Sequence, residues 1–169
     1  MERSWILLGM MGAGKSSVGR ALAELSGREF FDTDLLLQHK LGRPIPQIFE
    51  LYGEQAFRDH ESSILRSLQP GQTVLATGGG IVCRDENWIE MRRLGATVYL
   101  KAERTTLLSR LEKSKKKRPL LADDDWQERL HALLDKRLPQ YERADLVVDV
   151  DDVSIEEAAE RVRSALGDL

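Results

Sequence analysis

Short, nearly continuous apolar runs alternate with helical patterns along this chain. Continuous apolar runs are typical of strands that are buried on both faces. The candidate strands are residues 5–8, 29–32, 73–77, 97–101 and 145–148. The candidate helices are residues 15–25, 56–68, 86–94, 104–112, 126–137 and 155–166. Strands that alternate with helices predict an α/β fold with a parallel sheet covered on both faces.

The chain shows no internal repeat and no linker rich in proline, glycine or serine. Its 169 residues therefore predict a single domain, 1–169, with room for a hydrophobic core. Ligands of parallel sheets bind beyond the carboxyl ends of the strands. The residues that directly follow each strand are therefore the first candidates for function.

Composition narrows the classes of partner and compartment. The net charge is −3, which gives no general reason to expect a nucleic-acid or membrane partner. Cys83 is the single cysteine, so no internal disulfide can form and a reducing compartment is expected. The first apolar run is too short to span a membrane and lacks the features of a signal peptide. We expect a cytoplasmic protein, and the lack of an apolar surface stripe favours a monomer.

The stretch GMMGAGKS, residues 9–16, fits the P-loop pattern G-x-x-x-x-G-K-[ST]. Its glycines allow backbone N–H groups to surround phosphate oxygens, and the helix that follows directs its positive end to the same place. Lys15 is expected to reach the β- and γ-phosphates of ATP, and the Ser16 hydroxyl to ligate Mg²⁺. The candidate ATP-binding residues are Gly12, Ala13, Gly14, Lys15, Ser16 and Ser17.

Two aspartates, Asp32 and Asp34, end the second predicted strand. If the strand continues through them, alternation places both carboxylates on one face. We expect Asp32 to support the Mg²⁺ ion, and Asp34 to orient the acceptor hydroxyl and accept its proton. The alternative is that one of them, Asp34, caps the following helix.

Glu54, Arg58 and Glu61 share one face of a predicted helix. One interpretation is a surface ladder of ion pairs, worth roughly 0.3–0.5 kcal/mol per pair. The other is that Glu61 holds Arg58 so that its guanidinium binds the carboxylate of an acceptor.

Three glycines, residues 78–80, end the third predicted strand. Without side chains, this segment allows a ligand to approach the backbone closely and receive N–H hydrogen bonds. No aspartate follows this strand, so Asp32 is the nearest candidate for the metal-binding carboxylate of other P-loop proteins.

Five cations, Lys113, Lys115, Lys116, Lys117 and Arg118, precede an acidic triplet at 123–125. Such a run is usually a solvated loop. Its position between two helical stretches also suits a mobile lid that brings Arg118 over the transferred phosphate.

Further along, Arg137 precedes Pro139, which is expected to kink or restart the helix. That break could turn Arg137 inward, although an ordinary exposed arginine is the equal alternative.

Taken together, these motifs resemble those of the shikimate kinases. The resemblance spans nearly the whole chain and is carried by the stretches GMMGAGKSS, FFDTD, FRDHE, TGGG, KRPLL and RLPQY. It implies a three-layer α/β/α fold of the nucleoside-monophosphate-kinase type, with a five-stranded parallel sheet. A substrate-binding helical region is implied at about 34–62, and a lid at about 113–125.

The resemblance implies a phosphotransferase with an alcohol acceptor, which transfers the ATP γ-phosphoryl group to the 3-hydroxyl of shikimate in aromatic amino acid biosynthesis. By this resemblance Asp34, Lys15 and Arg118 are catalytic. The implied shikimate-binding residues are Asp34, Arg58, Gly79, Gly80 and Arg137. Arg110 resembles the arginine that flanks the adenine, and Mg²⁺ is the implied metal. The segment 149–153 lacks the proline common in the family's adenine loop.

Other functions remain open on the sequence. A gluconate kinase also needs a carboxylate site and hydroxyl contacts on the same scaffold. A nucleoside-monophosphate kinase needs more arginines than the three at 58, 118 and 137. A non-catalytic ATP-binding switch is disfavoured because Lys15, Ser16, Asp32, Asp34 and Arg118 occur together. A nucleic-acid-binding module would rest on the lysine run alone.

Overall fold

The computed structural model of the protein describes residues 3–114 and 118–167. Lys115, Lys116 and Lys117 of the predicted lid lie outside the described residues. The strands are β1 Ser4–Leu8, β2 Glu29–Asp32, β3 Thr73–Ala76, β4 Gly95–Lys101 and β5 Leu146–Asp149. The helices are α1 Lys15–Ser26, α2 Thr33–Leu41, α3 Ile45–Ser67, α4 Asp85–Leu94, α5 Arg104–Lys113, α6 Trp126–Tyr141 and α7 Ile155–Gly167.

The five strands form one parallel sheet in the order β2-β3-β1-β4-β5. In the central register, Leu7 of β1 lies beside Ala76 of β3 and Val98 of β4. Right-handed crossovers place helices on both faces: α1 and α7 pack together on one, and α3 and α4 on the other. The predicted three-layer α/β fold with a five-stranded parallel sheet is confirmed.

The central strands lie in the main hydrophobic core. Side chains such as Leu7, Val74, Val98 and Leu100 are almost fully buried, as expected for strands covered on both faces. Strand order reverses around β1, because the chain leaves it for β2 on one side and crosses from β3 to β4 on the other. Such switch points leave a crevice at the carboxyl ends of the strands. The loop that connects β1 to α1 lies in this crevice.

A second, smaller core joins α2 to α3. It consists of Leu37, Ile48, Phe57 and Ile64, each with at most 5% of its surface exposed. These two helices therefore form a region with its own packing beside the sheet. Among the described residues, no helix combines the length and apolarity needed to cross a membrane.

Two helical segments, α2 and the first part of α3, were absent from the helices predicted by periodicity, although the family resemblance implied a helical region at about 34–62. α2 was missed because Leu35, Leu36 and Leu37 follow one another, although only Leu37 is fully buried. α3 begins eleven residues before the predicted start at 56, and Gly53 interrupts it with φ 79° and ψ 173°. This glycine divides α3 into two parts, and only the second part has the predicted amphipathic pattern.

Candidate active site

The P-loop connects β1 to α1 at the centre of the sheet. Gly12 and Gly14 have φ values of 86° and 94°, a region that favours glycine. Gly14 is the residue before the first turn of α1, so the free N–H groups of that turn face the loop. The local sequence thus produces an anion-binding loop at the point where the sheet topology opens a crevice.

Lys15 lies across this loop. Its Nζ donates hydrogen bonds to the carbonyl oxygens of Gly9, at 2.6 Å, and Met10, at 3.1 Å. Burial lowers the pKa of Lys15 to about 7; the charge of Asp34 opposes this shift, whereas Arg137 adds to it. A cation that is costly to bury is well suited to bind an anion, because an opposite charge compensates for its desolvation.

Asp32 joins the P-loop to the second strand. Its Oδ2 accepts a hydrogen bond from the Ser16 hydroxyl at 2.6 Å. Its Oδ1 accepts from the backbone N–H groups of Asp34, at 2.9 Å, and Leu35, at 3.3 Å. Asp32 is therefore the N-cap of α2, so the expectation that Asp34 caps this helix is wrong. The chain becomes helical at Thr33, so strand alternation does not relate the two carboxylates.

The donor set of Ser16 and Asp32 fits Mg²⁺. Among residues 3–114 and 118–167, no three or more histidine, cysteine, aspartate or glutamate side chains are grouped to hold a metal ion. Mg²⁺ needs no such cage, because it keeps several waters and takes further oxygens from substrate phosphates. A hydroxyl and a carboxylate that already touch, directly beside a phosphate-binding loop, supply two oxygen atoms for it.

Asp34 lies in the first turn of α2, at a cavity of about 220 Å³. The cavity is bounded by α2, α3, the glycine segment (residues 78–80), residues 118–120 of the lid and α6. Its polar lining consists of Asp34, Gln38, Arg58, Glu61, Gly78, Gly79, Gly80, Arg118 and Arg137. The structure thus brings one aspartate and three arginines from four separate parts of the chain to one small space.

Arg58 is held by a buried ion pair. Its Nη1 donates to Glu61 Oε1 at 2.6 Å, and its Nη2 lies 3.5 Å from Glu54 Oε1. Burial raises the pKa of Glu61, and the charge of Arg58 opposes that shift. Because only 8% of Arg58 and 2% of Glu61 is exposed, the interpretation as a solvated surface ladder is wrong.

The three glycines pass close to charged side chains of the site, which leaves little room for a Cβ atom. A Cβ on Gly78 would lie 2.7 Å from Glu61 Oε2, and one on Gly79 would lie 3.1 Å from Arg137 Nη1. At Gly80 a Cβ would overlap the guanidinium group of Arg58. A side chain on Gly78 or Gly80 would therefore displace Glu61 or Arg58, whereas one on Gly79 would need only a small shift of Arg137.

Arg137 points inward from α6 and has 3% of its surface exposed. Its Nη1 contacts the Met10 sulfur at 3.7 Å. The alternative of an exposed arginine is wrong. Of the two effects expected of Pro139, a kink or a restart of the helix, the structure excludes the restart. α6 continues through Pro139 to Tyr141, because a proline in the last turn removes a single N–H hydrogen bond near the helix end.

Arg118 closes the cavity from the side of the lid. Pro119 and Leu120 of the short 3₁₀ turn Pro119–Leu121 line the same cavity. Burial lowers the pKa of Arg118, and the charge of Asp34 opposes this shift. Its Nε is buried and has no hydrogen-bond partner among the described residues. This arginine is therefore positioned to interact with an anion beside Asp34.

Arg110 connects two loops at the nucleotide side. Its Nη1 donates to the carbonyl oxygens of Gly12 and Ala13, both at 3.2 Å, and its Nη2 to that of Val150 at 3.4 Å. It therefore joins the P-loop to the segment 149–153.

Ser17 follows Ser16 in the first turn of α1.

Two side chains that support the site were not singled out from the sequence. Thr33 Oγ1 accepts a hydrogen bond from the Gly78 N–H at 3.2 Å, and the Tyr141 hydroxyl donates to the Gly79 carbonyl oxygen at 2.6 Å. Both residues lie inside stretches that carried the family resemblance, FFDTD and RLPQY. Their position in those stretches was the available signal, but their partner, the glycine segment, is distant in sequence.

A larger groove of about 810 Å³ lies beside the cavity and shares Pro46, Phe49, Arg118 and Pro119 with it. Half of the other side chains that line this groove are apolar and half are polar, and they come from the lid, α3, α5 and the start of α6. We assign the chemistry to the smaller cavity, because Asp34, Arg58 and Arg137 line that one.

Comparisons with known proteins agree with this geometry. Residues 11–167 match the family model for shikimate kinase. A shikimate kinase of Thermodesulfovibrio yellowstonii is 39% identical over 158 residues, covering 93% of this chain and 91% of that protein. The structure of a shikimate kinase from Acinetobacter baumannii in complex with shikimate superposes with a TM-score of 0.94 at 36% identity, covering 99% of this chain and 94% of that one. A shikimate kinase from Bacteroides thetaiotaomicron superposes with a TM-score of 0.90 at 31% identity, covering 98% of each chain.

Proposed function

Since the chain belongs to the shikimate kinase family, we propose that this site transfers the γ-phosphoryl group of ATP to the 3-hydroxyl of shikimate. The observation that carries this proposal is the single cavity in which the functional side chains meet. It combines the Asp34 carboxylate with three arginines at the edge of a P-loop. A carboxylate suits an alcohol that loses a proton, and arginines suit a carboxylate and a phosphoryl group.

The acceptor is held from two sides. The carboxylate of shikimate binds Arg58 and Arg137, which enter the cavity from α3 and α6. The N–H groups of Gly79 and Gly80 bind oxygen atoms of the same molecule. Each hydrogen bond to a charged group contributes about 1.5–3 kcal/mol, so this set can bind an anion although the whole chain is acidic.

Asp34 accepts the proton of the acceptor hydroxyl while the hydroxyl oxygen forms a bond to the γ-phosphorus. The bond between the γ-phosphorus and the bridging oxygen breaks, and that oxygen leaves with ADP. Lys15 and Arg118 lie close enough to Asp34 for their charges to interact with its carboxylate.

ATP is held by the P-loop and α1. The backbone of Gly12, Ala13 and Gly14 and the side chains of Lys15 and Ser16 bind its phosphates, and Ser17 extends this contact into the first turn. Ser16 and Asp32 hold Mg²⁺, which neutralises charge on the β- and γ-phosphates when it is bound.

Two arginines complete the proposed contacts with ATP. Arg118 places its guanidinium against the transferred group and stabilises the charge of the transition state. Arg110 flanks the adenine from its position between the P-loop and segment 149–153.

The packing of α2 against α3 supports a separate acceptor region within one domain. We propose that residues 1–169 act as one domain in which residues 34–62 bind the acceptor and residues 113–125 form a lid. The small core between α2 and α3 lets the acceptor region keep its own packing. The protein is proposed to act as a monomer in the cytoplasm. Among the described residues, its large exposed apolar side chains are spread over six elements, and only Leu51 and Tyr52 share one. Its cysteine is a free thiol.

A coupled assay of ADP release tests the acceptor. Purified protein with Mg·ATP is compared in the presence of shikimate, gluconate or no acceptor. We expect turnover with shikimate only, at roughly 1–100 s⁻¹, the usual range of kinases. Turnover with gluconate instead would transfer the acceptor assignment to a gluconate-kinase-like activity. ATP binding without turnover on either acceptor would support a non-catalytic switch.

Replacing Arg58 by lysine should raise the KM for shikimate by roughly 10- to 100-fold, because lysine cannot donate two parallel hydrogen bonds to a carboxylate. Lysine keeps a positive charge beside buried Glu61, whereas alanine would leave that carboxylate without its ion-pair partner. The KM for ATP should remain within about twofold. Initial rates with each substrate varied in turn measure both constants.

Arg66→Lys is the matched control, because Arg66 lies on the same helix with about half of its side chain exposed. Its kinetics should equal those of the unchanged protein. Equal increases in both Michaelis constants for Arg58→Lys would indicate a folding defect and remove Arg58 from acceptor binding.

A further inference from the structure

The hydroxyl of Tyr141 contacts the backbone directly behind the acceptor cavity. Tyr141 has no exposed surface, and its hydroxyl donates to the Gly79 carbonyl oxygen at 2.6 Å. Gly79 and Gly80 line the cavity, whereas Tyr141 is not among the residues that line it. The glycine segment therefore separates the tyrosine from the space that the acceptor occupies.

This contact fixes the direction of one peptide group. The peptide that joins Gly79 to Gly80 is trans, so its C=O and N–H point in opposite directions. Since the Gly79 carbonyl oxygen points to Tyr141, behind the segment, the Gly80 N–H points to the cavity. Among the described residues, no backbone acceptor outside helices and strands takes up this N–H.

The neighbouring peptide groups are held by other elements. The Gly78 N–H donates to Thr33. On the other side, Asn87 Nδ2 donates to the Ile81 carbonyl oxygen at 2.9 Å, and Trp88 Nε1 to that of Val82 at 3.0 Å. Tyr141 supplies the corresponding side-chain contact at the central peptide, where the glycines leave the backbone most freedom.

The hydroxyl is well suited to act as a permanent donor. Burial raises the pKa of Tyr141 far above its usual range, and the Arg137 guanidinium, which interacts with the same hydroxyl, opposes this shift. The tyrosine therefore stays protonated at any physiological pH. Its ring stacks on Tyr99 with 5.0 Å between the ring centroids, which restricts the position of the hydroxyl.

We propose that Tyr141 is a positioning residue for the phosphoryl acceptor: by holding the Gly79 carbonyl oxygen, it presents the Gly80 N–H to the bound acceptor. This inference rests on the proposed function, since it assigns the acceptor as the partner of that N–H. Tyr141 itself does not contact the acceptor. It acts through the peptide group between them.

Tyr141→Phe tests this inference, because it removes the hydroxyl and keeps the ring that stacks on Tyr99. The KM for shikimate should rise by roughly three- to tenfold, the effect of weakening one hydrogen bond. The KM for ATP should change by less than about twofold. A role limited to stability would lower the melting temperature without this separation of the two constants.

Tyr99→Phe is the matched control. It removes a hydroxyl from the other ring of the same stack, and none of the hydrogen bonds between described residues joins that hydroxyl to the glycine segment. Its Michaelis constants should match those of the unchanged protein. An equal rise in the shikimate KM for Tyr99→Phe would assign the effect to the stack and overturn the role of the Tyr141 hydroxyl.

An unchanged shikimate KM in folded Tyr141→Phe would also overturn the inference. If that variant does not fold, the unchanged protein still provides a test through the NMR signal of the Gly80 amide. This signal should shift when shikimate is added, and a signal that stays in place at saturation would refute the inference. A lack of turnover by the unchanged protein with shikimate would instead refute the proposed function.

Discussion

Asp34→Asn is expected to lower turnover of shikimate by roughly two to four orders of magnitude, the usual contribution of a positioned general base. Asparagine has nearly the same shape as aspartate but cannot accept the acceptor's proton. The backbone N–H of residue 34 still donates to Asp32, so the cap of α2 is unaffected. Affinity for ATP should remain nearly intact, because the P-loop contacts do not involve this side chain.

Steady-state kcat and calorimetric ATP affinity measure the two parts of this prediction. Asp59→Asn serves as the control, since Asp59 lies on α3 next to Arg58 but has 71% of its side chain exposed. That variant should behave as the unchanged protein does. Turnover by Asp34→Asn at the original rate would exclude Asp34 from the chemistry.

Lys15→Ala should reduce kcat/KM for ATP by at least about 100-fold, the effect expected when one donor to a developing charge is removed. The side chain lies across the loop and donates to the Gly9 and Met10 carbonyl oxygens, so its loss also releases part of the phosphate-binding backbone. The reduction should therefore appear in ATP affinity as well as in turnover.

A thermal melt separates this effect from misfolding. Burial lowers the pKa of Lys15 to about 7, so this side chain opposes folding at every pH below the ordinary pKa of lysine, fully below about pH 7 and less as the pH rises above it. Removing it should leave the melting temperature equal or higher without ligand. Lys136→Ala, at an exposed position on α6, is the control for loss of a lysine. Wild-type kinetics of Lys15→Ala would contradict the assignment of the P-loop.

Much of the scaffold could be predicted from local sequence. Strands such as β4 have runs of apolar residues that suit burial on both faces, and every residue of β4 except Lys101 is buried. The spacing of glycines, lysine and serine in residues 9–16 also has a local cause, since a turn between a strand and a helix needs those residue types to hold a phosphate. Both features depend on residues that are neighbours in sequence.

The acceptor side was less predictable because its geometry depends on long-range contacts. α2 has consecutive leucines instead of a helical repeat, and it is stabilised by packing against α3. The two aspartates were expected on one strand, yet Asp32 ends β2 and caps the helix that carries Asp34. The burial of Arg58 and Arg137 likewise results from the approach of the glycine segment, which no periodicity in α3 or α6 describes.

The sequence by itself determined the class of fold, the phosphate-binding loop and the family, because each follows from residue types at short, fixed spacings. Only the tertiary structure decided that Arg58 and Arg137 are buried beside one cavity, which aspartate caps a helix and which side chain contacts the glycine segment. These features join residues far apart in the chain, as Tyr141 and Gly79 are. Their energies come from burial and directional hydrogen bonds, which exist only after the sheet has brought the strand ends together.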